Sequence, residues 1–117
     1  MRLLQNYPQT RMNPKIQTIL SQLKTQLENL YGDRLVNLVL FGSQARGDAV
    51  FGSDIDVLVV LTGPVRVGEE IKKTGHIVAD LSLKNDEVIS CLFMEKEHFF
   101  NRQGPLLRNI RKEGVIV

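Results

Sequence analysis

Apolar residues in this chain recur with two different periods, and the change from one to the other predicts the elements. From Asn13-Pro14 onward, Ile16, Leu20, Leu23, Leu27 and Leu30 fall at helical spacing with Gln, Lys and Thr between them. Asn13 supplies an N-cap, Pro14 a first helical residue and Gly32 a C-terminal stop. Arg34 to Phe41 then reads as a strand, Ser43 to about Gly47 as a short helix or turn, and Asp48 to Gly52 as a loop. Asp54 to Leu61 is a second strand, ended by Thr62-Gly63-Pro64. Its near-continuous apolar character predicts cover on both faces.

From Gly68 to Lys84 both periods fit. As a helix, Ile71, Thr74, Ile77, Val78 and Leu81 line one side, leaving Lys72, His76 and Asp80 on the polar side. As a strand, Ile77, Ala79, Leu81 and Leu83 alternate with Val78, Asp80 and Ser82. The helix is favoured because its length suits a crossover and Glu69-Glu70 fall in a first turn, where acid is favourable. Val88 to Met94 follows as a strand, Glu95 to Gln103 as a charged short helix, and Leu106 to Glu113 as a last helix. Val115-Ile116-Val117 is an apolar tail with no partner legible in the sequence. Together these elements predict an α/β (α+β) domain, a small mixed sheet flanked by helices.

Composition narrows the class. With 117 residues and 43% hydrophobic content, residues 1–117 make one domain with a single core, and residues 1–12 a loose N-terminal arm. No apolar run approaches the ~20 residues of a membrane span, and MRLLQNYPQT lacks the features of a signal peptide. One cysteine, Cys91, excludes an internal disulfide framework and fits a reducing cytoplasm. A formal charge of +2 gives no general surplus for binding a polyanion, so nucleic acid is not indicated.

The chemistry is concentrated where the first two strands meet the loop between them. Read with period two, residues 54, 56, 58 and 60 share one strand face, so Asp54 and Asp56 point the same way. Two carboxylates side by side at the mouth of a buried strand repel each other and resist desolvation, and a divalent cation removes both objections. An all-oxygen, histidine-free set of this kind suits Mg²⁺ carried with substrate phosphates. At the other junction, Gly42 permits a tight turn and close approach to a ligand. Ser43 offers a hydroxyl and an N–H at the start of the next helix, and Arg46 a fork suited to phosphate oxygens. Phosphates and metal held at one sheet end are the equipment for phosphoryl or nucleotidyl transfer.

Gly42-Ser43, ten intervening residues and then Asp54-Ile55-Asp56 resemble the signature of the DNA polymerase β-like nucleotidyltransferases. The runs Gly-Ser-Gln-Ala-Arg-Gly and Ser53-Asp54-Ile55-Asp56 are similar to those of its smallest members, the minimal nucleotidyltransferases. The resemblance implies the polymerase β-like fold. It also implies one or two Mg²⁺ ions on Asp54 and Asp56, and ATP or another NTP gripped by Gly42, Ser43, Arg46 and Ser53. Many such proteins are encoded beside small HEPN-domain proteins as toxin–antitoxin pairs. By that analogy AMP would pass from ATP to a tyrosine hydroxyl of a HEPN partner.

Active members of the superfamily generally carry a third acid on the strand next to Asp-x-Asp. Here the strand Val88 to Met94 contains none. Asp80 would serve if the preceding segment were a strand, and Asp86, just before Val88, is the alternative; it is equally a turn residue. Without a third acid the chain could be a binding module that neutralises its partner by covering it. His76 and His98 have no companions at metal-ligand spacing, and Cys91 reads as a small hydrophobe. Arg102, Arg108, Arg111 and Lys112 form a basic cluster, read as a solvated helix face. The sequence leaves the acceptor, the base preference and any self-association open.

Overall fold

The computed structural model describes residues 13–117, so the loose arm expected over residues 1–12 lies outside it. Helix α1 (Pro14–Tyr31) starts as its sequence dictates: the Asn13 side-chain oxygen accepts the Lys15 N–H at 2.8 Å, and Pro14 occupies the first turn. Ile16, Ile19, Leu20, Leu23, Leu27 and Tyr31 form its buried stripe, each apolar side chain contributing roughly 1.5–3 kcal/mol. Leu30, expected on that stripe, is 41% exposed because Tyr31 takes the final core position.

A 3₁₀ turn over Gly32–Arg34 leads into β1 (Leu35–Phe41), and α2 (Ser43–Arg46) follows at once. After the loop come β2 (Ile55–Leu61), α3 (Val67–Asn85) and β3 (Ile89–Glu95). The chain then forms α4 (Lys96–Asn101), α5 (Pro105–Glu113) and the short β4 (Val115–Ile116). The ambiguous segment is therefore helical throughout, and it is the crossover that allows β2 and β3 to run parallel. β1 is antiparallel to both β2 and β4, giving a mixed sheet in the order β3-β2-β1-β4. The apolar tail finds its partner here: Val115 pairs with Leu40, Ile116 with Val39, and the Val117 N–H donates to the Leu38 carbonyl at 2.9 Å.

Alternation along β2 sorts the core into two layers. Ile55, Val57, Val59 and Leu61 face α1 and α3, together with Leu38, Leu40 and Phe93. Leu58 and Val60 face the other way and pack with Val39, Phe99 of α4, and Leu107 and Ile110 of α5. Asp56 shares the parity of Leu58 and Val60, so it belongs to the α4–α5 face. Between α1 and α3, Glu70 is 2% exposed and accepts the Tyr31 hydroxyl at 2.8 Å, with Arg34 and Lys73 each 3.9 Å away. That network displaces Ile71, expected in the core, to 54% exposure. Among the described residues no helix is long and apolar enough to cross a membrane.

Candidate functional site

Antiparallel pairing of β1 with β2 sets Phe41 opposite Asp56, which brings the Gly42-Ser43 turn against the start of β2. Gly42 has φ 75° and ψ −158°, a region that is essentially glycine-only. A Cβ placed on it would lie 2.5 Å from Asp56 Oδ2 and 3.3 Å from its Cγ. The carboxylate of Asp56 therefore rests against bare backbone, in space that any side chain at position 42 would occupy. Ser43 opens α2 beside it, and the first N–H groups of a helix have no intrahelical acceptor.

Asp54 is exposed just before β2, while Asp56 is half-buried at the open end of its face. Burial first, and the neighbouring Asp54 charge second, push the Asp56 carboxyl above its ordinary value, with Arg46 acting in the opposite sense. Two hard, mutually repelling oxygen donors form a set that a divalent cation would relieve, so these residues fit Mg²⁺. Among the described residues no group of three or more acids, histidines or cysteines gathers into a metal cluster.

Arg46 is exposed at the end of α2, its Nε 3.2 Å from Asp48 Oδ2 and its Nη1 3.3 Å from Glu113 Oε2. Ser53 turns inward to its own loop, where its Oγ accepts the Val50 N–H at 3.0 Å. Asp80 does not meet the aspartate pair. The strand that would have carried it there does not form: it lies exposed on α3, which covers the sheet face opposite to Asp56. Asp86 is the left-handed C-cap of α3, with φ 53°. In the parallel register Asp56 lies beside Ser90, so the adjacent strand presents an exposed hydroxyl where an acid was sought.

The remaining candidates are structural. His76 is exposed on α3, and His98 lies 3.7 Å from Glu95. Burial pushes the Cys91 thiol up to about 11, far from a reactive thiolate. Arg111 donates to the backbone carbonyls of Phe99 and, at 2.8 Å, Arg102, whereas Arg108 and Lys112 are exposed. The sequence alone does not single out Glu113, which meets Arg46, or Ser90, which lies beside Asp56. Glu113 does carry a signal, since an acid in the last turn of a helix opposes the dipole and calls for a cationic partner.

A cleft of about 740 Å³ opens on the other side of the loop, lined by Lys15, Gln44, Phe51, Ser53, Ser82 and Asp86 among others. Neither Asp54 nor Asp56 lines it. Val50 and Phe51 at its rim are 74% and 105% exposed.

A family model described as a nucleotidyltransferase domain matches residues 20–117. A relative from Methanocaldococcus jannaschii, named "Putative protein adenylyltransferase", is 36% identical over 93 residues, covering 78% of this chain and 86% of its own. A crystal structure described as a toxin-antitoxin with AMP-PNP aligns at TM-score 0.56 and 17% identity over 80% of this chain and 68% of that one. A Sulfolobus solfataricus structure, described as "a putative nucleotidyltransferase", aligns at TM-score 0.55 and 20% identity over 89% of this chain and 86% of its own. At those identities the two structures bear on the fold, which they share. The family match takes in the Gly42-Ser43 turn, both aspartates and every strand: this chain belongs to the nucleotidyltransferase domain family and is a nucleotidyltransferase.

Proposed function

We propose that the chain transfers AMP from ATP to a hydroxyl group of a partner protein, and that this partner is a HEPN-type toxin which the transfer neutralises. One observation carries the reading: Asp56 lies directly against the Gly42 backbone, so a candidate metal-holding carboxylate adjoins the turn proposed to hold the phosphates. The relative named for protein adenylyltransferase activity and the solved toxin-antitoxin likeness support the protein acceptor. So does the exposure of Asp54, which suits an acceptor presented by a macromolecule.

Asp54 and Asp56 would hold Mg²⁺, one ion or two, which when bound neutralises phosphate charge and stabilises the entering and leaving oxygens. Bare Gly42 lets the Asp56 carboxylate rest against the turn, and the Ser43 hydroxyl and N–H donate to the triphosphate oxygens. Arg46 adds charged donors from one turn further on. The acceptor oxygen attacks the α-phosphorus in line, the bond to the bridging oxygen of the β-phosphate breaks, and pyrophosphate leaves. The acceptor's proton passes to solvent at the open face. The protein's part is position and charge.

A second reading has its own observation. With Ser90 beside Asp56 and no third acid gathered among the described residues, the fold could act as an antitoxin by steric cover alone. Incubation with α-labelled ATP, Mg²⁺ and a HEPN partner separates the two. Transfer predicts label on the partner, with labelling and neutralisation lost together in Asp54→Asn. Neutralisation that survives Asp54→Asn without label would establish steric cover instead.

A further inference from the structure

The Arg46 contacts deepen the proposed nucleotidyl transfer, and the role they suggest for a second residue rests on that function. Arg46 ends a four-residue helix and is exposed, a setting in which a long side chain ordinarily samples many rotamers. Here it is held from two sides. Asp48 takes Nε at 3.2 Å, and Glu113, 67 residues away in sequence, takes Nη1 at 3.3 Å. A guanidinium has about five N–H donors in a fixed plane, so two contacts leave roughly three available to phosphate oxygens.

Glu113 is itself held. It is the last residue of α5, and the chain after it enters β4 at once, where Val115 pairs with Leu40 next to the Phe41-Gly42 turn. Ile110, one turn earlier, is 1% exposed in the core. An acid at this end of a helix is disfavoured by the helix dipole, and the Arg46 contact offsets that cost. The helix and sheet thus set the Glu113 backbone in place, and from there its carboxylate reaches the Arg46 guanidinium.

We propose that Glu113 is a positioning residue for nucleotide binding: it touches no substrate, but holds the Arg46 guanidinium beside the Gly42-Ser43 turn with its remaining donors directed to the phosphates. Ordering a long side chain on binding costs an amount that a pre-held one avoids. Glu113→Ala therefore weakens ATP binding roughly 3- to 10-fold. Glu113→Gln, which keeps the shape and one acceptor oxygen, gives a smaller loss.

The test is calorimetric titration of ATP with Mg²⁺ into the full chain, with wild type, Glu113→Ala, Glu113→Gln, Arg46→Ala and the Glu113→Ala/Arg46→Ala double variant. If Glu113 acts through Arg46, the double variant binds no more weakly than Arg46→Ala alone. In the transfer assay Glu113→Ala then raises KM for ATP and leaves kcat within about twofold. Unchanged affinity in Glu113→Ala, or losses that multiply independently in the double variant, would overturn the proposal. Thermal unfolding of each variant shows that the comparison is between folded proteins, and Glu113→Gln carries the test if the alanine variant unfolds. A wild-type chain that binds ATP but transfers nothing defeats the proposed function while leaving the Glu113 test intact. One that binds no nucleotide defeats both.

Discussion

Replacing Gly42 with alanine perturbs backbone and chemistry together, and the two effects can be worked out separately. At φ 75° and ψ −158° an L-residue carries strain of about 1–3 kcal/mol. For a domain near this size that lowers the melting temperature by roughly 4–12 °C. The new methyl group would sit 2.5 Å from Asp56 Oδ2, whereas comfortable heavy-atom contacts begin near about 3.5 Å, so the carboxylate must move by roughly 1 Å. Displacement of that size at a reacting centre costs on the order of 100-fold in rate. The assays are thermal unfolding and kcat/KM for nucleotidyl transfer. A stability cycle with Asp56→Ala then isolates the clash. Without the carboxylate, Gly42→Ala keeps its backbone strain but sheds the side-chain term, a coupling of about 0.5–1.5 kcal/mol. Wild-type transfer by Gly42→Ala would refute the placement of Asp56 at the reacting centre, and an unchanged melting temperature would refute the backbone conformation.

Two further predictions concern stability. Tyr31→Phe removes a hydrogen bond to the buried Glu70 carboxylate and should cost about 1.5–3 kcal/mol without changing transfer, because the network lies on the α1–α3 face; a neutral melting curve would contradict this. For Cys91, the thiol is pushed up to about 11 in the fold from an ordinary 9.0, so between those values the unfolded chain releases a proton that the folded chain keeps. Stability attributable to Cys91 is thus intact below pH 9 and falls through that window, by up to about 1.4 kcal/mol per pH unit. Denaturant melts from pH 8 to 11 should show a steeper alkaline decline in wild type than in Cys91→Ala, and parallel curves would contradict the burial of the thiol.

What the sequence made legible was local. Asn13-Pro14 and the spacing of Ile16 to Leu27 were enough for α1, because capping and periodicity act within a few residues. The closeness of Asp54 and Asp56 follows from their spacing: although β2 begins only at Ile55, the Asp54 charge acts on the Asp56 carboxyl. The helix over 67–85 was readable from its length and its acidic first turn. Contacts between distant residues left weaker marks. Glu70 reads only as an acid of that first turn, yet it is buried, with its carboxylate accepting from Tyr31, 39 residues earlier. Ile71 and Leu30 were assigned to the core from spacing, and each lost its place to the adjacent member of this pair. The tail at Val115-Ile116 needed β1 to become a strand. Asp80 suits a third acid only if its segment is a strand, and the sheet shows instead that α3 covers one face while Asp56 points to the other. Register, invisible without the sheet, puts Ser90 beside Asp56.

The most direct measurement uses ATP labelled at the α-phosphate in one reaction and at the γ-phosphate in another, with Mg²⁺, the chain and a HEPN-domain protein, the partner proposed for it. Nucleotidyl transfer at Asp54 and Asp56 predicts α-label on the partner, γ-label released as pyrophosphate, and neither event with Asp54→Asn. γ-Label on the partner, or α-label that persists with Asp54→Asn, would contradict the account.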